Sequence, residues 1–243
     1  MEVDEEIERG GIRETTFSTK RHERLIPGVI FAPAVPRQGP LILLGHGGSG
    51  SVHDQFLVAL AHRLVREEGC VCVAIDGPVH GRRRGERSDN GDLVLLEFSQ
   101  IWAGDPTMTD EMVADWRVVL EEVIEALALD DRPVGYWGLS MGTILGLPLV
   151  AAEPRISAAV LGLCGLTGPT RDRLGADAAA ITCPVFFVLQ LDDALFDEQS
   201  ARALFDVLGS EDKELHANPG GHGAVPIDTF VASADFLVDR LRR

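Results

Sequence analysis

Gly138-Leu139-Ser140-Met141-Gly142 is the stretch of this 243-residue chain with the clearest chemical content. The G-x-S-x-G spacing puts a serine on a tight turn between a strand and a helix, with its hydroxyl pushed clear of the backbone. Such a turn holds the serine in a strained conformation. Strand and helix pass so close that side chains two residues to either side would collide, and glycine at Gly138 and Gly142 removes the collision. A helix starting at Met141 points its free N–H groups back toward the serine. The flanks suit the motif, since Val134–Trp137 is apolar and strand-like and Met141–Ala152 can continue as a helix.

An activated serine needs a base and a group that orients the base. On an elbow of this kind the acid, then the histidine, follow the serine along the chain. Only His216 and His222 lie beyond Ser140. His222 sits in Gly220-Gly221-His222-Gly223, a loop past the last strand, at the sheet end where ligands bind. His216 falls in or beside that strand, where a packed or edge residue is expected. The acid belongs in the loop after Val185–Leu189, where Asp192 and Asp193 are adjacent and both eligible. Asp197 already suits the capping of the next helix.

His46-Gly47-Gly48-Ser49 follows an earlier apolar run, Leu41–Leu44. Its backbone N–H groups can supply one half of an oxyanion hole, and the N–H of Met141 the other half. The same stretch, Gly45-x-Gly47-x-x-Gly50, also matches the dinucleotide fingerprint, with Asp76 ending the next strand. A nicotinamide-dependent reductase is therefore a rival reading. Against it stand some forty hairpin-like residues before the strand and the absence of any role for His46. The chain's one tyrosine, Tyr136, and its lysines, Lys20 and Lys213, also make no Tyr-x-x-x-Lys pair. A phosphate-binding P-loop fails because Ser51 stands where lysine is required. Asp76 and His80 lack the further ligands of a metal site and read as a hydrogen-bonded turn. Phe98 and Trp102, with His46, are the candidates for lining a substrate pocket; the two aromatics would equally suit the packing of a lid.

The elements that must position these groups alternate. Residues 1–13 are polar and expected to be loose. Thr15–Pro33 reads as an antiparallel hairpin at a sheet edge. Buried strands are expected at Leu41–Leu44, Val71–Ile75, Val134–Trp137, Ala158–Leu163 and Val185–Leu189, with a short one at Lys213–His216. Helices are expected over about His53–Glu68, from Asp110 or Thr109 to Leu127, Arg171–Ala179, Glu198–Leu208 and Ile227–Leu241. Pro148 should kink or shorten the helix after the elbow. Residues 82–109 have no clean period and are long for a connection, as a small lid would be. The alternation predicts an α/β fold with a mostly parallel central sheet of about eight strands and helices on both faces. No linker divides it, so 1–243 reads as one domain.

A net charge of −16 argues against nucleic acid or an anionic membrane as partner. The acidic start is unlike a signal peptide, and no apolar run reaches transmembrane length. Cys70, Cys72, Cys164 and Cys183 form no C-x-x-C and read as thiols of a cytoplasmic protein, three of them in or beside apolar runs. A homodimer is left open.

With these residues assembled, the chain resembles the serine-dependent α/β-hydrolase superfamily from about Leu41 onward. The carriers are His46-Gly47-Gly48, Asp76-Gly-Pro-x-His80-Gly81, Gly138-Leu-Ser140-Met-Gly142, the Asp192-Asp193 loop and Gly221-His222. It looks closest to the compact dienelactone-hydrolase-like and prolyl-oligopeptidase-like esterases. Dienelactone hydrolases proper carry cysteine at the elbow, where this chain has Ser140. The resemblance implies Ser140 as nucleophile, Asp193 as orienting acid, His222 as base, and Gly48 and Met141 as oxyanion donors. The family's acid loop commonly reads Gly-x-x-Asp-x-x-Val, which here becomes Gln190-Leu-Asp-Asp193-Ala-Leu-Phe196. The expected activity is hydrolysis of carboxylic esters or thioesters of small molecules, without metal or organic cofactor. A non-catalytic binding protein on the same scaffold is the remaining alternative.

Overall fold

The computed structural model describes all residues 1–243. Nine strands form one sheet: β1 (Glu2–Arg9), β2 (Ile12–Arg21), β3 (Arg24–Pro33), β4 (Leu41–Gly45), β5 (Val71–Ile75), β6 (Val134–Gly138), β7 (Ile156–Gly162), β8 (Val185–Gln190) and β9 (Lys213–Asn218). Their spatial order is β1-β2-β3-β5-β4-β6-β7-β8-β9. Strands β5, β4, β6, β7, β8 and β9 run parallel, whereas β1, β2 and β3 join at one end as an antiparallel meander.

Side-chain alternation splits the core into two layers. On β4, Leu41 and Leu43 face one layer while Ile42 and Leu44 face the other; on β8, Val185 and Phe187 oppose Phe186 and Val188. Both faces must be covered, so these strands are apolar throughout Leu41–Leu44 and Val185–Leu189. Helices α1 (Gln55–Arg63) and α7 (Ile227–Leu241) cover one face. The other is covered by α2 (Gly91–Gly104), α3 (Met108–Leu127), α4 (Met141–Ala152), α5 (Arg171–Ala180) and α6 (Glu198–Val207). No helix is long and apolar enough to cross a membrane.

Four local expectations are corrected. Residues 1–13 are not loose: β1 pairs along β2 from Glu2 to Arg9, and all eight of its residues are exposed. A strand that buries neither face carries no apolar alternation to read. Residues 82–109 contain α2, capped by the Asn90 side chain on the Asp92 and Leu93 N–H groups. The segment after α1 continues as a five-residue π-helical turn, Leu64–Glu68, which Gly69 ends in a left-handed conformation. Pro148 lies inside α4, which still runs the full distance from Met141 to Ala152.

The chain goes from β4 to β5 on one side and later to β6 on the other. A crevice therefore opens beyond the carboxyl ends of the central strands. The loops after β4, β6, β8 and β9 all end there.

Candidate active site

Ser140 follows β6 with φ 58° and ψ −119°, a conformation that L-residues rarely adopt. Its surroundings over-determine it. Its N–H donates to Gly162 O at 3.0 Å. The Thr143 hydroxyl lies 2.9 Å from Gly138 O and 2.7 Å from Gly162 O, and accepts from Gly162 N–H at 2.8 Å. The two elbow glycines are needed for different reasons. A Cβ on Gly138 would lie 2.9 Å from Gly142 O, the strand-to-helix collision expected from the motif. A Cβ on Gly142 would lie 2.6 Å from Gly45 O, so its obstacle is the end of the neighbouring strand β4.

The structure brings Ser140, His222 and Asp193 into one chain of hydrogen bonds. His222 Nε2 is 2.8 Å from Ser140 Oγ, and its Nδ1 is 2.7 Å from Asp193 Oδ2. A carboxylate on Nδ1 keeps the proton there and leaves Nε2 free to accept from the serine. Asp193 is almost fully buried, and its other oxygen accepts from the Leu195 and Phe196 N–H groups at 2.8 and 3.1 Å. Its neighbour Asp192 turns the other way. Asp192 Oδ2 accepts from Gly220 N–H at 2.8 Å, and its own N–H donates to Gly220 O. Gln190, standing where the family pattern has glycine, reaches Pro219 O and Gly221 O through Nε2 at 3.4 and 3.3 Å. Gln190 and Asp192 thus hold the turn that carries His222, a role that no sequence signal distinguishes. His216 is far from this chemistry by its contacts: its ring stacks on Phe186 at 3.8 Å between centroids.

Facing the serine is the loop after β4. The N–H groups of Gly48 and Met141 donate to no acceptor within the protein, the latter because it opens α4. A Cβ at Gly48 would stand 3.7 Å from Met141 Cβ, so the two amides border the same space. Two buried histidines hold the loop. His46 donates from Nδ1 to Gly47 O at 2.8 Å and accepts from Gly77 N–H at Nε2, 2.9 Å away. The carbonyl of Gly47 and the N–H of Gly48 belong to one rigid peptide plane. Fixing the first therefore fixes the direction of the second. His80 donates from Nε2 to Gly48 O at 2.9 Å, pinning the next plane. Burial pulls both imidazoles down to about 4, with the adjacent ring of His46 adding to the effect at His80. Asp76 completes the support: its carboxylate accepts from Val52 N–H and Arg82 N–H, and burial raises its pKa.

An apolar cavity of about 270 Å³ opens beside Ser140, bordered by Gly48 and Met141. Phe98 and Trp102 line it, from α2. His46 does not; its ring is turned beneath its own loop and only about 3% of it is exposed. Leu95, Ile144, Thr167, Gly168, Leu195 and Phe196 complete most of the wall and were not singled out from the sequence. Leu195 and Phe196 directly follow the acid, and that adjacency was the available clue.

The dinucleotide reading loses its local basis, because α1 starts at Gln55 under an Asp54 cap rather than at Gly50. No group of three or more His, Cys, Asp or Glu side chains is placed to hold a metal ion.

No protein-family model and no curated protein matches the chain. Among solved structures, a cold-adapted esterase from an Arctic intertidal metagenomic library, in complex with polyethylene glycol, superposes with a TM-score of 0.88 at 39% identity, covering 99% of this chain and 100% of that one. A Pyrococcus furiosus esterase, Pf2001, superposes at 0.72 with 14% identity over 95% of this chain and 93% of that one. The dienelactone hydrolase of Anabaena variabilis superposes at 0.67 with 16% identity over 96% and 98%. The last two share the fold; the first, at its level of identity over nearly the whole length, shows kinship. A mostly parallel sheet with a strained serine after its central strand, and that kinship, together mean that the chain belongs to the α/β-hydrolase superfamily, in the family of this cold-adapted esterase.

Proposed function

We propose that the protein hydrolyses carboxylic esters or thioesters of small molecules through an acyl-enzyme formed on Ser140. The observation that carries the reading is the unbroken path Asp193–His222–Ser140, with links of 2.7 and 2.8 Å, ending on a strained serine beside an apolar cavity.

Ser140 Oγ attacks the acyl carbon while His222 Nε2 takes its proton. Asp193 keeps the imidazole in the required tautomer and stabilises the imidazolium that forms. The carbonyl oxygen becomes an oxyanion between the N–H groups of Gly48 and Met141. One such donor is worth about 3–4 kcal/mol in the transition state. The tetrahedral intermediate collapses, the proton passes from His222 to the leaving alcohol or thiol, and the acyl group stays on Ser140. Water then enters, gives a proton to His222 and attacks the same carbon. Collapse returns the proton to Ser140 and releases the acid.

A fluorophosphonate probe, followed by mapping of the modified peptide, tests this. Labelling at Ser140 alone is expected, and Ser140→Ala is expected to abolish ester turnover with an unchanged circular dichroism spectrum. Stoichiometric labelling at Ser49 or Ser51, or full turnover by the alanine variant, would overturn it.

A further inference from the structure

The cavity beside Ser140 has a direction. Gly48, Met141 and Ser140 border it, but His222 does not. In the mechanism above, on which this inference rests, the leaving oxygen must face His222 Nε2 to receive its proton. The acyl substituent of a tetrahedral centre, with its oxyanion on Gly48 and Met141, then points away from His222 and into the cavity. The alcohol group points toward the loop of Gly221, His222 and Gly223, whose glycines are exposed.

Trp102 lies one turn of α2 beyond Phe98, whose Cδ1 would stand 4.0 Å from a Cβ at Gly48. Trp102 stacks on Phe98 with ring planes 13° apart and donates from Nε1 to Thr170 Oγ1 at 2.8 Å. Gly168 is pressed against the indole so closely that a Cβ there would lie 2.6 Å from Cη2. The indole is therefore held on three sides, by a ring, a hydrogen bond and a backbone, and bridges α2 to the turn before α5. The walls on the way to it are mostly hydrocarbon, including Ile144, and the Ser99 hydroxyl is used on Leu95 O. No charged side chain lines the cavity, so burial of a charged acyl group there would be strongly unfavourable.

We propose that this cavity is the acyl site, that Trp102 is the stop that limits acyl length, and that the substrates are esters of short uncharged acids with little restriction on the alcohol. Each methylene that no longer fits forfeits its transfer energy and must displace a fixed ring, so discrimination by chain length is steep.

The test is kcat/KM for p-nitrophenyl esters from acetyl to decanoyl, and for acetate esters of alcohols from ethyl to octyl. These are measured on the intact protein and on Trp102→Ala and Trp102→Leu. For the intact protein we expect a maximum at a short acyl chain and a fall of at least about tenfold by octanoyl, with the alcohol series flat within about threefold. Both variants should move the acyl maximum to longer chains and leave the alcohol series unchanged. Trp102→Leu, which keeps an apolar side chain of intermediate size, decides the matter if the alanine variant does not fold. An unmoved acyl profile in a folded variant would overturn the role of Trp102. A steep alcohol series with a flat acyl series would overturn the orientation. Loss of all ester turnover in the intact protein, together with no fluorophosphonate labelling, would instead count against the hydrolase reading itself.

Discussion

The two sides of the site are built on opposite plans, and the histidines show it. On the side of the loop after β4, His46 and His80 are buried, neutral and used as fixed pieces of scaffolding, each bonded to backbone. On the side of the loops after β8 and β9, His222 stands between glycines, about a quarter exposed, with both nitrogens on side chains. In the proposed mechanism His222 gains and loses a proton in every turnover, which calls for access and a carboxylate beside it. A group that aims an amide at a developing oxyanion needs neither, and gains from never changing charge. On that proposal, one sheet end holds the same side chain in two chemically distinct roles.

The comparison can be broken most decisively on the side of His222. Asp193→Asn should lower kcat by up to about 10⁴-fold, because the amide no longer fixes the imidazole tautomer, and His222→Ala by about 10³-fold or more. Asp192→Asn should cost less than about tenfold, since its oxygen can still accept from Gly220 N–H as an amide. Steady-state kinetics on folded variants settles the ranking. If Asp192→Asn is the severe one, the acid has been misassigned.

The scaffold side should respond more mildly and in a different parameter. His46→Ala frees the Gly47–Gly48 peptide plane, and we expect kcat to fall about tenfold to a hundredfold while KM changes little. A rise in KM with kcat intact would mean that His46 serves substrate binding instead.

A third measurement separates the two sides by pH. His46 and His80 have folded pKa values of about 4 against 6.5 when unfolded. The unfolded chain therefore binds more protons between those values, and stability falls as pH drops from about 6.5 to 4, by on the order of 3 kcal/mol per histidine. Asp76, whose pKa burial raises, acts in the opposite sense just above its unfolded value of 3.8. Urea midpoints across this range should show the loss, and His80→Asn should flatten the slope. An equal slope in the variant would show that His80 is not a source of the pH dependence. The smallest effect belongs to His216→Ala, which should leave kcat/KM within about twofold and remove the stacking on Phe186, about 1 kcal/mol, with an exposed contact to Glu214.

These contrasts also explain what the sequence made visible. The elbow was legible because its demands are local: two glycines, a serine, a buried strand before and a helix after. Asp193 and His222 were reached through chain order and loop position, helped at Asp193 by the family pattern. The support shell was not legible. Whether His46 faces a pocket or its own loop depends on a rotamer, and Gln190 acquires its role only from a turn some thirty residues later. The helix α2 escaped notice because it buries only Val94 and Phe98 and turns other leucines toward the cavity or solvent, which erases the helical period. The strand β1 escaped because neither of its faces is buried.

That first strand has a consequence for how molecules of this protein meet one another. It forms one border of the sheet, with a free row of backbone donors and acceptors, the kind of border on which a second sheet can grow. Glu2, Asp4, Glu5, Glu6 and Glu8 lie along it; Asp4 pairs with Arg82 and Glu6 with Arg13, so two such borders brought together would set the unpaired Glu2, Glu5 and Glu8 of each against those of the other. Their mutual repulsion makes the exposed border self-excluding at neutral pH, and the protection is chemical rather than steric.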